Sequence, residues 1–260
     1  MLTVFTSVKG VLVPSSPAGP DAPTRRERVR DATVSEIKDT ARALLVADGP
    51  DAVTLRAIAR EMGMTPPALY RYFAGHEDIV AALCHDLLEE LTASLAAARD
   101  TVGTDDPVGR LMAACREFRR WSLAHPREFH LVFASAAGHA PPGHEEPGRD
   151  ISFGAVFLGI FVEIWSRQPF AVPDEADLPE GLLRQVRAFS AATGDALPLG
   201  ALVAYLAGWV RLYGAVTIEV FGHLGFALDD PQPMFEAMLA DMRRQLTTPP
   251  LQGRAPAWRQ

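Results

Sequence analysis

The sequence is poor in the residues that staple or metallate a fold. Its 260 residues include two cysteines, Cys84 and Cys115. That excludes a disulfide framework and a cysteine-rich zinc site, and it suits a reducing cytoplasm. The seven histidines are scattered without metal-ligand spacing; His139 and His144 fall in a loop beside Glu145-Glu146, and no metal is expected. A phosphate-cradling glycine loop is missing, as is any Ser/His/Asp grouping that spacing favours, so neither cofactor nor enzyme activity is expected. No apolar run in the first 23 residues approaches the ~20 needed to span a bilayer. The short runs Val4-Phe5 and Val11-Leu12-Val13 follow no charged leader, so neither a signal peptide nor a membrane segment is expected. Alternation of apolar and polar residues over a strand length is also lacking, which leaves an all-α class.

Positive charge is the next scarcity. Twenty-five Lys and Arg face thirty-two Asp and Glu, a formal net charge of −7, which argues against a chain coated in basic surface. The distribution is uneven. Residues 24–74 carry nine Lys/Arg against seven Asp/Glu, residues 75–260 carry fifteen against twenty-four, and residues 1–23 are neutral. Arg25, Arg26, Arg28 and Arg30 crowd the start of the net-positive stretch, as a phosphate-seeking or groove-seeking arm would; a solvated leader fits the same residues.

What the sequence has in quantity is helical periodicity. Ile37, Ala41, Leu44 and Leu45 mark one face of a helix over 33–48, closed by Asp48-Gly49-Pro50. Thr54 is positioned to cap a short helix over 54–62, which Gly63 ends in a left-handed conformation. Thr65 caps a third helix that begins at Pro66, and a long helix follows over 76–99. Further helices are expected at 107–124, 126–136, 150–168, 179–191, 198–223 and 231–247, divided by proline-rich and glycine-rich breaks. The spacing predicts a disordered leader with a basic arm over 1–30, a helix-turn-helix over 31–75, a helical body over 76–248 and a tail over 249–260.

Residues 54–73, TLRAIAREMGMTPPALYRYF, carry the chemistry. Two short helices meeting at a glycine, with Ala57, Ala59 and Ala68 small enough for close approach, cross steeply and offer the second helix to a major groove. Over about 33–85 this sequence resembles the tetracycline-repressor-like (TetR) family of regulators. The residues are Thr54-Leu55-Arg56-Ala57-Ile58-Ala59, Gly63-Met64-Thr65, Ala68-Leu69-Tyr70-Arg71-Tyr72-Phe73 and Glu77-Asp78-Ile79-Val80. The resemblance implies operator DNA as partner, with Thr54, Arg56, Thr65, Pro66, Pro67, Ala68, Tyr70, Arg71, Tyr72 and His76 at the contact. Thr54 and the amides behind it hold a phosphate, and Tyr70 and Tyr72 meet the backbone. Arg56 and Arg71 read base edges or bind phosphates.

The sequence departs from the family pattern in two places. Pro66, Pro67 and Ala68 stand where side chains usually face bases, and they offer only apolar contact to thymine methyls. His76 replaces a lysine that touches phosphate. A histidine is mostly neutral at cellular pH, so DNA binding strengthens as pH falls, or the residue has no DNA role.

The resemblance also implies a homodimer and a small-molecule effector. The apolar helix at 198–223 and the plainer one at 231–247 form half of an intermolecular four-helix bundle, with Leu202, Leu206, Val216, Val220, Phe235, Leu239 and Met242 at the interface. An aromatic set either fills the core or lines an effector cavity built from Arg116, Trp121, Phe133, Phe161, Glu163, Trp165 and Trp209. Over about 105–225 the chain is also similar to a TetR subgroup with a Trp-His-Gly motif, with Tyr213 where the histidine stands. The expected mechanism is a repressor released from its operator by the effector. The alternatives are a ligand-independent dimeric DNA-binding protein, and a ligand-binding helical protein or enzyme with a vestigial head.

Overall fold

The computed structural model describes residues 24–134 and 151–249. The expected leader over 1–23, the loop holding His139 and His144, the last residues of the helix expected at 126–136 and nearly all of the C-terminal tail lie outside the described residues. Within them every regular element is a helix.

Three helices make a small N-terminal head: α1 (Arg25–Asp48), α2 (Leu55–Glu61) and α3 (Pro66–Leu69). Ile37, Ala41 and Leu45 on α1 meet Ile58 and Ala59 of α2 and Leu69 of α3, all fully buried. Helix α1 starts at Arg25 rather than at Thr33, where apolar periodicity begins. The cause is a capping box: Thr24 Oγ1 accepts from the Glu27 amide at 3.2 Å, and the Glu27 carboxylate accepts from the Thr24 amide at 2.7 Å. This reciprocal pair satisfies two donors at the helix start and carries the helix through four arginines that bury nothing. The basic arm is therefore ordered helix and not part of a disordered leader.

Helix α4 (His76–Asp100) leaves the head and runs into the body, burying Ile79, Leu83, Leu87, Leu91 and Leu95 along one side. It packs along α5 (Pro107–Ala124) and α7 (Ile151–Arg167). Between these two come α6 (Pro126–Phe129) and a π-helical turn, His130–Ala134, in place of the continuous helix that periodicity predicts over 126–136. The wider turn is anchored from outside: the Tyr213 hydroxyl donates to the Phe133 carbonyl at 2.9 Å. Inserted turns of this kind are rare inside helices. The body is completed by α8 (Glu180–Ala192), α9 (Leu199–Val220) and α10 (Gln232–Thr247).

Helix α9 is long and apolar enough by composition to cross a membrane. Here Leu202, Leu212 and Val216 are buried in the subunit core and it packs on α5, α7 and α8. Both cysteines are buried, and burial pushes the Cys115 thiol up to about 12, as for a side chain that only packs.

Candidate nucleic-acid interface

Helix α2 begins where the Thr54 hydroxyl accepts from the Ala57 amide at 3.1 Å. It closes through Gly63 at φ 63°, with the Met64 amide donating to the Ala59 carbonyl at 2.8 Å. This is the left-handed glycine closure that the sequence predicts. Thr65 stands at the start of α3 but its side chain makes no capping bond, a departure from expectation. Pro66 and Pro67 need no amide donors there and fix the backbone for a helix start. Regular helix ends at Leu69. The chain continues in hydrogen-bonded turns, the Phe73 amide donating to the Leu69 carbonyl at 3.1 Å, and Asp78 Oδ2 in the first turn of α4 accepts from the Ala74 amide just ahead of that helix at 2.9 Å.

The buried side of this hairpin is apolar and the outer side is charged or hydrogen-bonding. Thr54, Arg56, Thr65, Pro66, Pro67, Tyr70, Arg71 and His76 are exposed together, with Ala68 and Tyr72 half-buried. Arg60 is held by its neighbour Glu61 at 3.1 Å. Arg56 and Arg71, by contrast, have no acidic partner among the described residues. Unpaired guanidiniums beside a steep helix pair can take either a phosphate or a guanine edge. Arg30, expected from the sequence as part of a basic arm, joins this surface directly. Its guanidinium donates to the Arg71 carbonyl at 3.3 Å and lies 5.7 Å from the centre of the Tyr72 ring. Sequence could not reveal a contact between residues so far apart.

The head is joined to the body by ion pairs. Arg42 on α1 meets Glu90 of α4 with two bonds, at 2.7 and 3.3 Å, and Glu128 of α6 at 3.5 Å. Trp121 Nε1 donates to Glu90 at 3.0 Å, and His125 Nδ1 lies 3.4 Å from the buried Glu128 carboxylate. Bonding to Arg42 holds the Glu90 carboxyl below its usual range, against the upward push of partial burial. Lys38 pairs with Asp86 at 2.5 Å, and Arg127 donates to the Val46 carbonyl at 2.9 Å.

The residues expected to line an effector cavity fall into separate groups. Phe133 and Trp209 belong to one packed cluster of rings with Phe118, Phe153, Phe157 and Tyr213, at centroid separations such as 5.8 and 5.7 Å. Phe161 and Trp165 pack on Phe170 at 5.5 and 5.2 Å. Trp121 is tied to Glu90. The two charged residues are held in ion pairs, exposed Arg116 with Glu236 at 2.7 Å and half-buried Glu163 with Arg110 at 2.8 Å.

The expected dimer residues need a correction. Leu202, Val216, Phe235, Leu239 and Met242 are buried inside the subunit, and Leu206 and Val220 are half-buried. The outward stripe is instead Ala207, Val210 and Ile218 of α9, with half-buried Gly214 among them and Phe221 just past the helix end; Val210 is 67% exposed and Ile218 40%. A helix apolar on every side carries no sequence signal for which side faces out.

Comparison with known proteins agrees with this architecture. The model for bacterial regulatory proteins of the tetR family matches residues 37–83, and the tetracyclin repressor-like C-terminal domain matches residues 111–242. The HTH-type transcriptional regulators Rv1816 of Mycobacterium tuberculosis and Mb1846 of Mycobacterium bovis are each 28% identical over 217 residues, covering 82% of this chain and 92% of theirs. Among solved structures, the protein SCO4313 is 29% identical with a TM-score of 0.60, over 84% of this chain and 98% of that one. A TetR family transcription regulator from Marinobacter aquaeolei VT8, 16% identical with a TM-score of 0.52 over 85% of this chain and 97% of its own, shares the fold. By these family and relative matches the chain belongs to the TetR family, and it is a transcriptional regulator with a DNA-binding helix-turn-helix head rather than an enzyme.

Proposed function

We propose that the protein is a homodimeric, cytoplasmic repressor that sets two heads on adjacent operator half-sites and releases them when a small molecule enters its helical body. The observation that carries this reading is the Arg42 junction. One guanidinium on α1 holds carboxylates from α4 and α6 at once, so a displacement of α6 or α4 is transmitted to the helix that supports α3. Effector control needs such differential contact between two states.

Dimerisation is supported by the outward stripe of α9. It is free of charge from Ala207 to Phe221, and a Cβ added at Gly214 would meet nothing within 4 Å. A second copy can approach closely there, and Met234 on α10, 58% exposed, extends the apolar face. Half-sites read in this way lie ~34–36 Å apart, so two heads are required.

The effector class follows from what the body interior offers. The charged residues that reach it are already paired with each other, Arg110 with Glu163 and Arg119 with Glu219, and its other polar atoms include the Tyr205 and Tyr213 hydroxyls. An ionised ligand would lose its hydration without a counter-charge. The fitting effector is uncharged and aromatic, entering by displacing rings of the Phe118 cluster.

A ligand-independent dimer is the second reading, favoured by the close ring-on-ring packing of that same cluster. One experiment decides between them. Purified protein is footprinted on the DNA beside its own gene, then titrated with a panel of neutral and ionised aromatic compounds. Protection lost only with neutral aromatics supports effector control; protection unchanged by the whole panel overturns it in favour of the second reading.

A further inference from the structure

The N-terminal extension of α1 carries four arginines, and its geometry singles out one of them. Three observations bear on it. The extension is rigid, because the Thr24–Glu27 capping box holds its first turn in helix. It is docked, because Arg30 reaches the Arg71 carbonyl and the Tyr72 ring at the end of the recognition segment. It is charged and exposed, with Arg25, Arg26 and Arg28 free of acidic partners among the described residues.

Helical geometry sorts these three. At 3.6 residues per turn, Arg26 projects from nearly the same side as Arg30, one turn and ~6 Å further along the axis. Arg28 stands on the opposite side, and Arg25 also points well away. Arg30 marks the side that abuts the recognition segment. Arg26 therefore extends that side beyond Tyr72. A major groove is about 12 Å wide and is bordered by phosphates. A guanidinium displaced ~6 Å past the end of the helix lying in the groove meets that border.

We infer that Arg26 binds a phosphate flanking the half-site, with Arg30 serving as the brace that aims the extension. The occupant is duplex DNA, selected by charge complementarity at a basic extension of a chain whose overall net charge is −7. The contact is to backbone, so it adds affinity and salt dependence without adding sequence preference. This inference rests on the DNA-binding head described above.

The test uses the full chain and a fluorescein-labelled 40-base-pair duplex of mixed sequence, with the association constant measured across a range of salt concentrations. Wild-type protein gives a steep slope of log K against log salt. Arg26→Gln is expected to reduce the magnitude of that slope by about 0.9 for each engaged subunit, one phosphate contact each. Arg28→Gln removes the same formal charge from the other side and is expected to reduce it by less than half as much. Circular dichroism of both variants should match wild type, since neither side chain is buried. Equal slopes for Arg26→Gln and Arg28→Gln, or an unchanged slope for Arg26→Gln, overturn the inference and leave the head reading intact. A wild-type protein that binds no duplex at any salt overturns the head reading itself.

Discussion

Replacing Arg42 by Met tests the head–body junction most directly. The substitution keeps the aliphatic stem and deletes a guanidinium shared by Glu90 and Glu128. The Glu90 side chain is 40% exposed, so its pairing is screened and contributes about 0.5–1 kcal/mol. Glu128 differs, with a side chain only 5% exposed. Stripping one partner from a buried pair typically costs ~3–5 kcal/mol, but His125 stays 3.4 Å away, so about 2 kcal/mol is expected. The total is about 3 kcal/mol, or ~6–12 °C in melting temperature for a chain of this size. The pH dependence has a definite sign. The Glu90 carboxyl is depressed in the folded state, so its contribution is present above the unfolded carboxyl value and is lost as pH falls through the folded one. The deficit of Arg42→Met relative to wild type should therefore narrow below about pH 4. Urea unfolding followed by circular dichroism between pH 3.5 and 7.5 measures all of this. The double variant Arg42→Met/Glu128→Gln removes the stranded charge and should recover at least half of the loss. A single variant within about 0.5 kcal/mol of wild type, or a double variant no better than the single, would refute the reasoning.

Three further outcomes are expected. Arg71→Ala should cost about 1–3 kcal/mol in operator binding and relax preference at one base position in a selection assay; an equal loss on every duplex would mark a phosphate contact instead. Ile218→Asp on the outward stripe of α9 should leave helicity unchanged yet yield a monomer in light scattering and lower operator affinity at least tenfold; a persistent dimer would place the interface elsewhere. The Cys115 thiol, pushed up to about 12 by burial, should resist a disulfide reagent at pH 8 and react only after denaturant unfolds the body. Rapid labelling of Cys115 in the native protein would contradict its packing.

The helix-turn-helix was legible because its information is local. Thr54, Gly63 and Pro66 each dictate backbone within a few residues, and the structure has a cap, a left-handed closure and a helix start at those positions. The start of α1 was less visible, since apolar periodicity ignores arginines, although Thr24 and Glu27 spell a capping box. The rest was hidden for physical reasons. Arg116 finds Glu236 120 residues away, and Arg110 finds Glu163 53 residues away; no local pattern encodes such partners. The sides of α9 were indistinguishable in sequence because nearly every position is apolar. Only packing separates buried Leu202 and Val216 from outward Val210 and Ile218.

Helix α1 is unbroken from Arg25 to Asp48, and that continuity has a mechanical result. Arg26 and Arg42 sit on one stiff rod with ~24 Å of axis between them. A tilt of only about 5° imposed at the Arg42 end swings the Arg26 end by ~2 Å, more than a charge-assisted hydrogen bond tolerates. A motion too slight to notice where it originates becomes decisive at the far tip.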